Sequence, residues 1–559
     1  MRWERPAAGR EPAAAALLGW LADPNAPRLC LVSGSEGCGK SELLAWLVHH
    51  GSRKGTPTER AVHAVVPSAG QSEQGAVWSI AEQLGVVARA PGELVEALGH
   101  DPRPTVIVLP DLHGGDVAGL VLDLVRLPHV RLIVESRSAS PAHRRLSGGE
   151  CAELDLDLEQ WRDQQRFDEW RAALSDDQDL VRSASMDTAV DVDLSDPVAV
   201  CETDPWGVTA AYHRGGDHDY GGLRGAWLRA GQSLCREQSP AARALILLSV
   251  LGDGADPRVA PALRELAADA RWRMEWSRVR GDMTPPWPGP VTALAIGRGP
   301  LGDCLVTAGL DGTVKAVRLA DAAVRGRLSH TGLHLVSMTV MADGTVLTLD
   351  ENGHVEARSG WADRPTGSGL AALLDDEGPN GTQPLLDALQ GQTGTALAHT
   401  PGDDLGIVAL GDATGNVRVF GDMTNSTCLH TGPVNALAAL SVPLGGDVML
   451  PLVYSGGADG TLRVWSPGNA PMTEPLLQRS CPVVSLGAAM TEHGPATVVA
   501  WGDGTVECVY WDTGAQQTFR PGPPVRAVAV DADSRVLIGM DEALTCLIPQ
   551  PPRSDGDDV

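Results

Sequence analysis

Apolar residues follow one another along this chain in three textures. In the first, short apolar runs alternate with stretches at helical spacing. Arg28-Leu29-Cys30-Leu31-Val32, Ala61 to Val66, Thr105 to Leu109 and Val130 to Val134 read as strands, each bounded by polar or turn residues. Ser41 to His50 and Val77 to Leu84 read as helices between them, the alternation of a parallel α/β sheet. A lead-in helix, Pro12 to Leu21, stops at Asp23-Pro24. From about residue 151 to 270 the strand signal fades. Trp161 to Leu174, Gly222 to Glu237 and Ala241 to Leu251 keep helical spacing, and the acidic stretch 175–204 reads as a long or partly disordered loop. This block is expected to be an all-helical or winged-helix accessory region.

The third texture begins at Pro290. Short β-type runs recur, punctuated by Asp-Gly or a close variant: Asp311-Gly312, Asn352-Gly353, Thr414-Gly415, Asp459-Gly460, Asp503-Gly504 and Asp541-Glu542. Such pairs suit tight hairpin turns. An alternating strand follows each, as in Leu462-Arg463-Val464-Trp465, and Pro290-Val291, Pro433-Val434, Pro482-Val483 and Pro524-Val525 open units. A hairpin unit repeating at roughly 40 residues is one propeller blade. Six units are visible, the uneven segment 359–392 leaves room for a seventh, and Trp272 to Val279 is a candidate closing strand.

On these residues the region 290–548 resembles the WD40 repeat family. Trp465 and Trp511 stand at the expected end of a third strand, with Arg318, Arg358, Phe420 or Ile548 near that place in other units. His330-Thr331-Gly332 and His430-Thr431-Gly432 resemble that family's Gly-His element. The resemblance implies a surface for protein partners.

The expected fold class is therefore multidomain: a parallel α/β sheet, a helical or winged-helix-like middle region, and an all-β propeller of six to seven blades. The divisions are a lead-in at 1–27, the sheet domain at 28–150, the helical region at 151–284, the propeller at 285–548 and an acidic tail at 549–559, where Asp555-Gly556-Asp557-Asp558 reads as a solvated terminus.

Charge narrows the functional classes. The formal net charge is −27 and the isoelectric point about 4.9, which argues against a broad nucleic-acid surface. No apolar run is long enough to span a bilayer, and charges at Glu4, Arg5, Arg10 and Glu11 interrupt any signal-peptide pattern, so a cytoplasmic location without membrane contact is expected. The ten cysteines are scattered without a CxxC pair, which indicates neither a zinc ribbon nor a disulfide framework. His213 and His218 with Asp217 and Asp219 admit a metal site but fit a polar, Gly-rich loop better. The basic residues are almost all arginine. Three lysines occur, Lys40, Lys54 and Lys315, and with the Ala, Gly and Pro richness this is the composition of a GC-rich bacterial coding sequence.

One of those lysines closes the sharpest motif. Gly34-Ser35-Glu36-Gly37-Cys38-Gly39-Lys40-Ser41 matches GxxxxGK[ST], with a strand before it and a helix after it. The glycines let backbone N–H groups form an anion nest, and the helix start adds positive potential. Lys40 is expected to reach the β- and γ-phosphates of ATP, and Ser41 to ligate Mg²⁺. Asp111, after the apolar run 105–109, is the candidate for the second magnesium site, and Arg137 a candidate for approach to the γ-phosphate. Cys38 reads as a tolerated variable position rather than an activated thiol.

Here the chain resembles the STAND class of P-loop ATPases, relatives of the AAA+ group. Gly9-Arg10-Glu11 looks like that class's Gly-Arg-Glu element, which implies a place for Arg10 near the adenine, and Val130 to Arg137 looks like its sensor strand. The class usually places an aspartate directly after the apolar run with an acidic pair following, whereas here Pro110, Asp111, Leu112, His113 and Gly114 stand there. No glutamate adjoins Asp111 to orient water; Asp116 and His113 are the nearest substitutes. ATP or ADP binding is expected, and hydrolysis is left open.

Two functions compete. One is an ATP-dependent regulatory switch in bacterial signalling or defence, acting through nucleotide-dependent homo-oligomers and a separate effector protein. The other is a non-catalytic scaffold with a structural nucleotide. A nucleic-acid-driven motor is disfavoured by charge.

Overall fold

The computed structural model describes residues 4–67, 71–112, 114, 116–181, 192–280, 290–358, 383–400, 406–421, 424–445 and 448–550. These fall into two compact units, one from 1–193 and 203–218, the other from 194–202 and 219–559. The acidic tail from residue 551 onward, His113, and most of the segment with room for a seventh blade lie outside the described residues.

In the first unit, five strands form one parallel sheet: β1 (Leu29–Ser33), β2 (Ala64–Val65), β3 (Thr105–Leu109), β4 (Val130–Glu135) and β5 (Ala152–Asp155). Their order is β2-β3-β4-β1-β5. The interior strands β1 and β3 are buried at every position, which is why their sequences run unbroken in Leu, Val, Ile and Cys. Cys30 and Val32 of β1, Val106 and Val108 of β3 and Leu154 of β5 share a core with helices α1 (Glu11–Ala22) and α2 (Lys40–Gly51), through Leu17, Leu43 and Leu47. Further helices are α3 (Glu73–Leu84), α4 (Pro91–Gly99), α5 (Ala118–Leu124) and α6 (Pro141–Leu146).

The strand order creates a crevice. The connection after β1 leads through α2 to the edge strand β2, on the side of β4 and β3. The connection after β4 leads through α6 to β5, on the opposite side of β1. Neighbouring strands β1 and β4 thus send their chains in opposite directions, and the carboxyl ends of such a pair are where open α/β sheets bind ligands.

The expected acidic loop is shorter than its composition suggests. Helix α7 (Gln164–Val181) runs into it, and α8 (Pro197–Glu202) lies inside it, followed by α9 (Pro205–Arg214). The acids act as helix starters: the Asp196 carboxylate accepts from the Val198 N–H at 3.0 Å, and that of Asp204 from the Gly207 N–H at 2.7 Å. Residues 182–191 lie outside the described residues.

The second unit adds α10 (Leu223–Leu234), α11 (Pro240–Ser249) and α12 (Val259–Leu266), then β6 (Trp272–Val279) and a six-bladed β-propeller. Each of the six Asp-Gly-type pairs named above sits in the turn between the second and third strands of a blade. At Gly460, φ is +72° and a Cβ would stand 2.2 Å from the Arg479 carbonyl oxygen, so no other residue fits that turn. The six inner strands are Val291–Ile296, Leu335–Val340, Ala396–His399, Val434–Gly445, Val483–Thr491 and Val525–Val530.

The expectation of a possible seventh blade is corrected to six. The inner strands on either side of segment 359–392 are direct neighbours: the Ser337 hydroxyl donates to the Leu397 carbonyl at 3.1 Å and accepts from the Leu397 N–H at 3.2 Å. A blade cannot be inserted between strands that already touch. Closure is by β6, which pairs antiparallel with Ala543–Pro549 as the fourth strand of the last blade, as the sequence suggested. Trp276 of β6 packs into the core between the last and first blades and donates its indole N–H to the Leu319 carbonyl at 2.9 Å. Among the described residues no helix is long and apolar enough to cross a membrane.

Candidate functional site

The Gly34-to-Ser41 loop leaves the carboxyl end of β1 and enters α2. Gly34 has φ +141°, and a Cβ there would meet Cys38 Sγ at 2.7 Å; Gly39 has φ +87° at the start of α2 and brings no capping side chain. The first-turn N–H groups of α2 therefore keep the capacity to donate outward. Lys40 is buried, and its ammonium donates to the carbonyls of Gly34 at 3.1 Å and Ser35 at 2.7 Å. The lysine is folded back over its own loop.

Two carboxylates meet this loop that the sequence did not single out. Asp157, two residues beyond β5, accepts from the Ser35 N–H and hydroxyl. It arrives there because β5 pairs with β1, a strand missed because Ala152-Glu153-Leu154-Asp155 mixes polar with apolar residues. Glu135, the last residue of β4, is only 2% exposed and accepts from the Ser41 hydroxyl through Oε1 at 2.9 Å. Among the described residues its other oxygen, Oε2, is buried without a hydrogen-bond partner. Burial pushes the Glu135 carboxyl above its ordinary value; the Ser41 hydroxyl, the Lys40 ammonium and the Asp111 backbone N–H pull the other way, while the Asp111 charge adds to the rise.

Arg10 is fully buried behind the loop. Its guanidinium donates to the carbonyls of Leu156 at 3.0 Å and Trp161 at 3.2 Å, and to that of Cys38 in the loop itself, and it lies over the Phe167 ring. It braces the loop against the segment that follows β5. Burial pushes the Cys38 thiol up, opposed by Lys40, so that cysteine is a packed residue rather than a thiolate nucleophile. Arg137 is half exposed and pairs with Glu36 across the loop at 3.4 Å. Asp111 is exposed, with φ +59° after Pro110, and its neighbour Leu112 donates its N–H to the Glu135 carbonyl at 2.9 Å. The structure thus gathers Lys40, Ser41 and Glu135 at one crevice, with Gly37 and Glu36 on the exposed bend of the loop. Amide donors, an ammonium, a hydroxyl and a buried carboxylate are the chemistry that takes a phosphate together with a divalent cation.

In the propeller the densest polar network belongs to the fourth blade. His430 is buried. Its Nδ1 lies 3.0 Å from Asp459 Oδ1 and 3.1 Å from Thr461 Oγ1, and its Nε2 lies 2.9 Å from Ser455 Oγ. Asp459 also accepts from the N–H groups of Thr431 at 3.0 Å and Thr461 at 3.1 Å. His330 makes a different contact, 3.0 Å from Thr313 Oγ1 on the strand it pairs with in the first blade. The fifth blade replaces His430. The Arg479 carbonyl stands over the turn at Gly460 as that of His430 stands over Gly415, and the Arg479 guanidinium pairs with Asp503 at 3.5 Å and Glu507 at 3.4 Å. An arginine in the histidine's place is why the repeat is hard to recognise there.

The family model for the WD domain, G-beta repeat, matches residues 424–466. That span is the fourth blade from just before its preceding outer strand to Trp465, and it contains the whole His430 network. A WD40 repeat lies there, within a six-bladed propeller. No curated protein matches the chain.

Proposed function

We propose that this chain is an ATP-binding regulatory protein that recruits protein partners through its WD40-type propeller. The observation carrying the nucleotide half is the meeting of Lys40, Ser41 and buried Glu135 at the β1–β4 switch point. The likeness of the Gly34-to-Ser41 motif to the P-loop of STAND-class ATPases supports it, with Mg²⁺ accompanying the phosphates at Ser41. In this reading Arg10 acts on the loop from behind. Arg137 must leave Glu36 before it can reach a γ-phosphate. The propeller half follows from the WD40 repeat, since propeller rims bind proteins through exposed loops.

A non-catalytic scaffold is the second reading, favoured by Asp111 standing exposed in a left-handed turn rather than buried beside Ser41. Nucleotide released by denaturing the purified protein, identified by chromatography, together with steady-state phosphate release, separates the two. Bound ATP or ADP with turnover supports the switch. Bound nucleotide without turnover supports the scaffold, and absence of any binding by purified or added nucleotide sinks both.

A further inference from the structure

The carboxylate at the end of β4 is buried with part of its bonding capacity unused among the described residues. A glutamate taken out of water costs several kcal/mol unless its oxygens are paired. Glu135 is 2% exposed, yet among the described residues Oε2 has no hydrogen-bond partner of its own, while the carboxyl meets the Ser41 hydroxyl through Oε1 and the Asp111 backbone N–H. A hydrophobic residue, like those along the rest of β4, would close this strand at lower cost. The carboxyl stands beside the first turn of α2, bonded to Ser41 and near enough to Lys40 for the ammonium to act on its charge.

The spacing of the pair is informative. Octahedral Mg²⁺ holds oxygens at about 2.0–2.1 Å, which sets neighbouring ligand oxygens about 2.9 Å apart. Ser41 Oγ and Glu135 Oε1 are 2.9 Å apart. The hydrogen bond therefore already holds two hard oxygen donors at adjacent-vertex separation, and a cation that displaces the hydroxyl proton's contact needs no movement of the strand or helix. Asp111 stands differently: it is exposed on a turn with φ +59°, and it brings a backbone N–H and a nearby charge to the Glu135 carboxyl.

Resting on the nucleotide reading above, we infer that Glu135, rather than Asp111, is the carboxylate that joins Ser41 in holding the divalent cation of the bound nucleotide. The role is carried by the strand between β1 and β3 rather than by β3 itself, and the acidic position displaced by Pro110 is replaced from the neighbouring strand.

The test is titration of the full chain with a fluorescent ADP analogue, with magnesium and with chelator, for wild type, Glu135→Gln, Asp111→Asn and Ser41→Ala. Wild type is expected to bind about tenfold tighter with magnesium. Glu135→Gln loses that increment, read as the ratio of its own affinities with and without magnesium, as does Ser41→Ala, and Asp111→Asn retains it. Binding of Mn²⁺ with ADP, followed by electron paramagnetic resonance, reports the same loss without reference to turnover. Gln retains an oxygen for the Ser41 hydroxyl, and circular dichroism checks that Glu135→Gln is folded. A magnesium increment that survives in Glu135→Gln and vanishes in Asp111→Asn overturns the inference while leaving nucleotide binding intact. A wild type that binds no nucleotide under either condition overturns the reading of the site and this inference with it.

Discussion

The carboxylate of Asp157 accepts two hydrogen bonds from Ser35, one from its N–H at 2.8 Å and one from its hydroxyl at 2.7 Å. A negative group thus engages a loop whose remaining donors suit a negative ligand. Asp157 ties down Ser35, and in the nucleotide reading proposed above its charge opposes an incoming phosphate.

Asp157→Asn keeps an oxygen for Ser35 and removes the charge. It is expected to tighten nucleotide binding about fivefold, or about 1 kcal/mol, at low salt. The gain shrinks as ionic strength rises, because Asp157 is exposed. Equal affinities for the two proteins at low salt would contradict this.

Arg10 satisfies three backbone carbonyls, those of Leu156, Trp161 and Cys38, from a fully buried position. Arg10→Ala strands these acceptors and is expected to cost about 3 kcal/mol in urea unfolding. Arg10→Lys recovers little, since an ammonium cannot reproduce the planar fork over Phe167. A fully restored midpoint in the lysine variant would show that charge alone suffices.

The His430 network makes the propeller sensitive to acid. Burial holds the His430 imidazole below its ordinary value, against the pull of Asp459. The unfolded chain takes up a proton near pH ~6.5 that the folded blade refuses, so stability is full above that value and falls as the pH drops below it. His430→Gln should flatten the pH dependence of the melting midpoint between about pH 5 and 7, while costing about 2 kcal/mol at pH 8 through lost hydrogen bonds. An unchanged slope in the variant would place the acid sensitivity elsewhere.

These networks show what the sequence reveals and what it hides. The six blade turns are legible because each needs a residue pair with narrow backbone requirements, as at Asp459-Gly460. Strands β1 and β3 are legible because burial on both faces demands apolar runs, and β4 because Leu132-Ile133-Val134 forms one despite Arg131. Strand β5 is not, because an edge strand tolerates Glu153 and Asp155, and Asp157 is lost with it. Glu135 reads as a polar strand end, since nothing local says that the sheet order will bring it against Ser41, 94 residues away. The blade number depends on which inner strands touch, and the Ser337–Leu397 contact that decides it is long-range.

Closure by β6 carries its own prediction. A fragment beginning after residue 279 leaves the last blade with an unpaired edge at Ala543–Pro549 and removes Trp276 from the core. It is expected to aggregate where a fragment beginning at Leu194 stays monodisperse, measured by light scattering. Trp276→Ala in the full chain should cost about 3–5 kcal/mol. Two equally monodisperse fragments would mean that the propeller does not depend on this strand.

The most direct test of the account is equilibrium binding of ATP and ADP to the wild type and to Lys40→Ala, side by side. The account predicts saturable binding by the wild type and a loss of at least about a hundredfold in the variant, because Lys40 supplies the one ammonium of the Gly34-to-Ser41 loop. Equal binding by both proteins, or none by the wild type, would contradict it.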